Sequence, residues 1–458
     1  MAMKKTKTDA EIGDAPLVYV TRDIERALGQ KPVGSYFILA NSTPYAETIR
    51  AQYPDNVFLV KDPSGFLDTF DVLKAGEKIL EKIAGSIDVL VFKNTSRIEE
   101  FCAEKKWKLL NPPTALAEKI ENKITQVEWL GDGTNGAARF LPPYFIKKTS
   151  EITLRTDAQS GVSAPFMLQW AHTHTGEGTM FIANNKSGEK MLADLREKFP
   201  KREARVTAYV NGPVFTANVC VMPDGDILVG NISNQITGML PFTDNPWTTV
   251  GNDWSLPQSI LNEEKIAQFH DIARTVGERM RKSGWLGLFG IDCIYDIERD
   301  NLHLIEVNAR QPASTTYESQ LQEQIRELAA DHFTTHQTIF EAHIAALRNK
   351  NTETKTKPVR VQARAQIVEI NDGAQIILRI SALKELRKTD DEIAKISAGL
   401  RAQKYTVIEY TNVKPGMDML RIQSERGIME SHNKFNARGK KILEIVTGGQ
   451  STNEEPSI

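Results

Sequence analysis

Cysteine is scarce in this chain. Three occur in 458 residues, Cys102, Cys220 and Cys293, and none belongs to a paired motif. That pattern gives no support to a cysteine-built zinc site, and it fits a reducing, cytoplasmic compartment. Long apolar runs are missing as well: no segment approaches the ~18 to 20 apolar residues that span a bilayer, so no membrane partner is expected. The N-terminal MAMKKTKTDAE is charged but has no apolar core, which points to a loose tail over residues 1–15 and not to a signal peptide. Nor is there an excess of charge of one sign. With 57 basic and 59 acidic residues, the formal charge is −2, and nothing in the composition argues for a nucleic-acid partner.

What is present is length and pattern. A chain of 458 residues is too long for one ordinary core, and two to four domains are expected. Residues 36–40, 57–60, 89–92 and 108–110 read as buried strands. Between the second and third, Val72, Leu73, Gly76, Ile79, Leu80 and Ile83 recur at helical spacing. Strands alternating with helices predict a parallel α/β layer over 16–113. Asn41, Ser42 and Thr43 follow the first strand, where such sheets place ligands, but helix capping explains them equally well.

From Thr114 the character changes. TALAEKIENK reads as an amphipathic helix carrying Lys123, followed by strand PFMLQWA, loop HTHTGEGT, strand MFI, helix KMLADLREKF and strand ARVTAYV. A strand pair comes next, 214–222 and 227–232, and then a helix over 263–282. Residues 349–358 form a charged linker after this 114–348 domain. An α+β domain is expected over 359–448, with a disordered tail over 449–458. The fold class is therefore α/β combined with α+β: an N-terminal parallel layer, a two-lobed core and a small C-terminal domain.

Three stretches carry chemistry. The first is 284–311, GWLGLFGIDCIYDIERDNLHLIEVNARQ, which reads as a hairpin. Glu306, Asn308 and Arg310 alternate along its second strand and so share a face, and with Asp292 they offer oxygen ligands for a hard cation beside an anion. The alternative is an edge hairpin whose charges face water. The second is loop 172–179, where Thr175, Gly176, Gly178 and Thr179 form a turn able to wrap phosphates, although a plain hairpin turn has the same composition. It lacks the G-K-[ST] ending of a P-loop. The third is the polar stretch 231–254. Within it Asn234, Gln235, Thr237, Gly251 and Asn252 are candidates for a substrate pocket, with an ordered surface loop as the alternative. His332 and His336 have metal-compatible spacing but no visible third ligand.

The order of these pieces resembles the ATP-grasp superfamily over residues 114–345, with the domain that normally precedes it. The matching parts are Asn122-Lys123, the glycine loop between two strands, YVNGPVFT at 209–216 and the hairpin GID…EVNAR. The resemblance implies that two lobes clamp ATP and that Mg²⁺, or Mn²⁺ in its place, is held by Asp292, Glu306 and Asn308. It also implies that Lys123 reaches the nucleotide, that the 172–179 loop covers the phosphates, and that the peptide groups of Ala208 and Val210, flanking Tyr209, hold the adenine edge. Some positions depart from the family. A strand lysine that commonly binds phosphate is matched by Gln169, a hinge acid by Thr207 and a ribose-binding glutamate by Val214. Gln169 can still donate to phosphate, and Lys147 or Lys148 is a source for the missing charge.

The chemistry so implied is ligation of a carboxylate to an amine, with the peptide-ligase branch as one option. Glu306 and Arg310 act at the centre where an acylphosphate forms, with small-molecule carboxylate and amine partners and a homo-oligomer left open. A carboxylase, a ligase using another nucleophile, or a non-catalytic nucleotide-binding regulator are the alternatives.

Overall fold

The computed structural model describes residues 15–61, 67–84, 86–131, 136–171, 178–329, 336–348, 366–383, 387–412 and 414–449. These fall into two compact units, Met1–Asn111 and Pro112–Ile458.

In the first unit, short runs of β-branched and large apolar residues form a parallel five-stranded sheet. Its strands are β1 (Leu17–Thr21), β2 (Tyr36–Asn41), β3 (Val57–Val60), β4 (Asp88–Val91) and β5 (Lys108–Leu109), in the order β3-β2-β1-β4-β5. The central strand, β1, is one the sequence reading did not anticipate. Helices α1 (Pro44–Gln52), α2 (Thr69–Ala75), α3 (Glu77–Ile83) and α4 (Ser96–Lys105) connect the strands. The single helix expected around 72–83 is two, because Gly76 interrupts it. A Cβ there would sit 2.2 Å from Leu39 Cδ2 on β2, so a larger residue would force the Leu39 side chain to shift. Thr43 caps α1 by accepting from Ala46 N–H, and Asn41 bonds Arg22 O and Leu67 O, so both have structural roles.

The second unit begins with α5 (Thr114–Glu121) and α6 (Thr125–Leu130). The expected helix through Lys123 ends at Glu121, and Lys123 lies in the intervening turn with its N–H on Ala171 O. An antiparallel sheet follows, of β6 (Tyr144–Lys148), β7 (Phe166–Trp170), β8 (Thr179–Ile182) and β9 (Glu203–Ala208), in the order β6-β9-β7-β8. Helix α7 (Lys186–Lys198) backs it through Leu192, which packs with Phe166, Leu168 and Val206.

A larger antiparallel sheet carries β10 (Val214–Val221), β11 (Ile227–Val229), β12 (Ser233–Thr237) and β13 (Thr249–Asp253). The short α8 (Pro257–Ile260) and the long α9 (Glu263–Lys282) come next, then β14 (Gly287–Asp296) and β15 (Asn301–Asn308). Helix α9 is capped by Asn262, which accepts from Lys265 N–H. Its apolar stripe of Phe269, Ile272, Ala273, Val276 and Met280 packs under Phe215, Phe289, Ile291 and Leu304. Each of the larger side chains in this stripe, once buried, stabilises by about 1.5–3 kcal/mol.

After α10 (Thr315–Leu328), β16 (His336–Gln337), α11 (Ile339–Arg348) and β17 (Gln366–Ile367), the chain returns to the same sheet. Strand β18 (Ala374–Arg379) pairs with β13. Beyond α12 (Asp390–Ala402), β19 (Thr406–Glu409) and β20 (Asp418–Ser424) continue the sheet, and α13 (Ala437–Thr447) closes the element order. The C-terminal segment, expected as a separate domain, is thus hydrogen-bonded into the core sheet, whose order is β15-β14-β10-β12-β13-β18-β20-β19. Asp253 fastens it: one carboxylate oxygen accepts from Ser255 and Leu256, and the other from Ile428 and Met429 N–H.

Candidate active site

Two opposed faces of the large sheet explain why the polar residues gather. On one face Phe289, Ile291 and Cys293 of β14 and Leu302, Leu304 and Val307 of β15 bury against α9. Alternation leaves Asp292 and Glu306 on the other face, and the strand register places them directly opposite each other. A bulge follows Asp292, and Asn308 pairs with Gly290 next to it.

Asp292 is 8% exposed, and two side-chain amides donate to it: Gln235 Nε2 at 2.7 Å and Asn308 Nδ2 at 3.1 Å. Thr216 stands opposite it on β10. Burial raises the Asp292 carboxyl above the ordinary carboxylate range, and the neighbouring Glu306 charge adds to the rise. Glu306 Oε1 accepts from Lys123 Nζ at 2.5 Å. Burial raises Glu306 too, but Lys123 and Arg310 outweigh it and leave the carboxyl below its usual value. Lys123 is itself lowered, chiefly by burial, against the opposing pull of Glu306. Arg310 pairs with Glu121.

The structure thus brings Lys123, Asp292, Glu306 and Asn308 into one cluster, with Gln235 beside them. Its oxygen donors, two carboxylates and an amide, suit a hard divalent cation, and Mg²⁺ is commonly held through only one or two carboxylates. Among the described residues no three His, Cys, Asp or Glu form a metal cluster, so any cation here would draw on the two carboxylates and the Asn308 amide. Lys123 on Glu306 is a positive charge already accommodated there, whereas Asp292, buried beside that second carboxylate, is bonded by the neutral amides of Gln235 and Asn308. The donor set fits Mg²⁺ or Mn²⁺.

The other candidates fall in several places. Gln169 lies on β7 opposite Arg205 of β9, and its Oε1 accepts from Arg205 Nε at 3.2 Å and Nη2 at 2.7 Å. Arg205 also reaches Gln126 Oε1 at 3.3 Å and Ile305 O at 3.3 Å. Thr179 opens β8 and its Oγ1 meets Gln169 Nε2 at 3.3 Å, while Gly178 O accepts from Trp170 N–H. Thr175 and Gly176 lie outside the described residues. At the end of β9, Ala208 N–H donates to Pro143 O, so this donor is engaged within the protein. Tyr209 packs edge-on to Phe181 at 4.8 Å, Phe181 lies 5.7 Å from Trp247, and Val210 is buried.

The five substrate-pocket candidates separate. Gln235 touches Asp292, and Thr249 Oγ1 donates to its other end. Asn252 is on the Gln235 face, bonded to Ser233 and Gln375. Asn234 is buried opposite Phe215 with its amide on Val214 O, and Thr237 pairs with Thr249. Gly251 packs against β18, where a Cβ would meet Gln375 O at 2.2 Å. Lys147, a candidate for the missing phosphate charge, is bound to Asp157, and Lys148 is exposed. His336 lies in β16, and His332 is outside the described residues.

Sequence reasoning did not single out Arg205, Gln126, Glu121 or Thr216. Arg205 carries a signal in hindsight, as a charge embedded in the strand run ARVTAYV. Its partner Gln169 becomes apparent only with the β7–β9 pairing.

No family model and no curated protein matches the chain. Solved structures do. A carboxyaminoimidazole ribonucleotide synthase from Aspergillus clavatus, complexed with ATP, aligns at TM-score 0.57 and 15% identity, covering 95% of this chain and 99% of that one. A biotin carboxylase from Campylobacter jejuni aligns at 0.56 and 12%, covering 90% and 88%. A phosphoribosylamine–glycine ligase from Thermotoga maritima aligns at 0.53 and 13%, covering 93% and 96%.

Proposed function

We propose that the chain, whose fold aligns with these solved structures, is an ATP-grasp enzyme: an ATP- and Mg²⁺-dependent ligase that joins a carboxylate to an amine and releases ADP and phosphate. The observation that carries this reading is the in-register pair Asp292–Glu306 with Asn308 beside it and Lys123 bonded to Glu306. The neighbouring structures support it: one was solved with ATP, and they are named as a carboxyaminoimidazole ribonucleotide synthase, a biotin carboxylase and a phosphoribosylamine–glycine ligase.

In this reading a substrate carboxylate oxygen attacks the γ-phosphorus of ATP, ADP leaves, and an acylphosphate results. The amine then attacks the acyl carbon, phosphate departs and the amine loses a proton. Asp292, Glu306 and Asn308 would hold the divalent cation, which when bound supplies charge neutralisation at the phosphates. Lys123, bonded to Glu306, is oriented so that its ammonium serves the nucleotide. Arg310, two residues beyond the end of β15 and tethered by Glu121, stabilises the charge that grows on the transferring group. Gln235 fixes the Asp292 carboxylate, and its place beside the metal ligands makes it the best placed of the pocket candidates.

A second reading is favoured by one observation. The alignment to the carboxyaminoimidazole synthase runs through almost the whole of both chains, C-terminal segment included. On that reading bicarbonate is the activated carboxylate and a small amine the acceptor. One screen addresses both: amino acids, small carboxylates and bicarbonate are paired with amines, ADP and phosphate are quantified, and the product is weighed. ADP formation that needs both partners, with a product equal to their sum less water, supports ligation. Turnover that requires no second substrate, or that yields AMP, counts against it.

A further inference from the structure

Strict alternation along β13 would keep Thr249 away from the Asp292 cluster. Asn252 pairs with Gln235, which bonds Asp292, while Gly251 pairs with Ile236 on the opposite face of the sheet. Thr249, two residues from Gly251, would share the Gly251 face. The register shifts at this point: Thr249 pairs with Thr237, and Val250 is left over as the extra residue of a bulge. Val250 buries in the same apolar cluster as Ile236, and Thr249 is turned to the face of Gln235, where their side chains meet.

The bond made there has a fixed direction. An ionised carboxylate only accepts, so Gln235 presents Nε2 to Asp292 Oδ1, 2.7 Å away. Its Oε1 then points the other way and needs a donor. Among the described residues that donor is Thr249 Oγ1, at 2.9 Å, and the one O–H of Thr249 is committed to the bond. Other polar side chains of this face satisfy one another: Asn252 donates to Ser233 and accepts from Gln375, whose own oxygen accepts from Arg421. These bonds leave Gln235 to Thr249. An amide reversed end for end would set its oxygen against the Asp292 carboxylate, and the Thr249 hydroxyl opposes that reversal.

We propose that Thr249 is a positioning residue for the cation site: through the Gln235 amide it holds the Asp292 carboxylate where it stands beside Glu306 and Asn308. The bulge at Val250 is the backbone feature that allows this, since a bulge re-aims one side chain without moving the strand as a whole. Outer partners of metal ligands typically contribute ten- to a hundredfold in metal affinity. The inference rests on the cation reading proposed above.

The test measures Mn²⁺ binding to the full chain, read from the electron paramagnetic resonance of the free ion with and without ADP. The proteins compared are the parent, Thr249→Val, Thr249→Ser, Gln235→Leu and the double variant Thr249→Val/Gln235→Leu. Thr249→Val keeps the shape and removes the hydroxyl, and it should weaken Mn²⁺ by about tenfold. Thr249→Ser keeps the donor and should bind like the parent. Gln235→Leu should weaken binding by about ten- to a hundredfold, and adding Thr249→Val to it should cost nothing more, because Thr249 acts only through the amide. A merely structural Thr249 would show its loss in both backgrounds. If the parent binds no Mn²⁺ in either condition, the cation reading fails and the inference falls with it. If the parent binds Mn²⁺ but Thr249→Val binds equally well, Thr249→Ser loses as much as Thr249→Val, or the loss persists beside Gln235→Leu, the inference is overturned while the cation reading stands. Should Thr249→Val not fold, Thr249→Ala takes its place in both backgrounds, and failure of that variant to fold as well overturns the inference by making the role of Thr249 structural.

Discussion

Asp292 and Glu306 stand directly opposite each other on antiparallel β14 and β15, yet their surroundings differ: Glu306 is bonded to the Lys123 ammonium, whereas Asp292 is held by the amides of Gln235 and Asn308. Two carboxylates in this register repel, and a cation between them removes the repulsion. The ordinary fate of paired acidic strand residues is exposure to water. Here Asp292 is buried, which is the physical ground for reading the pair as a site.

Glu306→Gln is expected to lower substrate-dependent ADP release by about 10² to 10³ while leaving the fold intact, since the side chain is 38% exposed. Steady-state rates with circular dichroism as a folding control measure this. A variant that turns over like the parent contradicts the role given to Glu306.

Cation affinity should depend on pH through Asp292. Burial and Glu306 raise its carboxyl, so at mildly acidic pH the proton competes with Mg²⁺, and binding tightens as pH rises and the proton leaves. Titration calorimetry at several pH values should show proton release on binding and a gain of up to about tenfold per pH unit on the acid side. An affinity flat across that range would count against Asp292 as a ligand.

How much of this was legible beforehand varies with the kind of contact involved. The parallel layer, the glycine-loop strands, α9 and the hairpin at 284–311 were readable because each depends on local periodicity. Asp292, Glu306 and Asn308 meet through one short turn, and their cluster follows from that local alternation. Arg205 and Gln169 meet only through β7–β9 pairing, a contact between residues 36 apart in sequence. The place of β18 beside β13 was not legible either, because a strand's neighbour is set by the whole sheet and not by its own pattern. Gly251 shows the cost: in sequence it belonged to a polar, ligand-like stretch, and in the fold it clears the way for Gln375 O.

Gly251→Ala should therefore act on stability and not on substrate. The added Cβ would lie 2.2 Å from a backbone oxygen of β18, and the strands must separate to admit it. A loss of about 1–3 kcal/mol in urea denaturation is expected, with KM for each substrate unchanged in whatever folds. A stable variant with raised KM would return Gly251 to the pocket.

Glu318 offers a pH test away from the site. It is fully buried on α10, accepts from Asn218, Asn231 and Gln322, and burial raises its carboxyl to about 7. The folded-state value lies above the unfolded one, so its contribution is present at acid pH and is lost as pH rises through about 7. The size is on the order of 3 kcal/mol. Comparing Glu318→Gln with the parent at pH 5 and pH 8 isolates it. The parent should lose more stability across that range than the variant, and equal losses would remove Glu318 from the account.

The most direct test of the central claim follows oxygen. Once a carboxylate substrate is found, it is supplied with ¹⁸O in the carboxylate and the released phosphate is analysed by mass spectrometry. The account predicts one ¹⁸O transferred to each phosphate released by the parent, with labelled phosphate formed about 10² to 10³ more slowly in Glu306→Gln. Label appearing in AMP, or phosphate carrying no label, would contradict it.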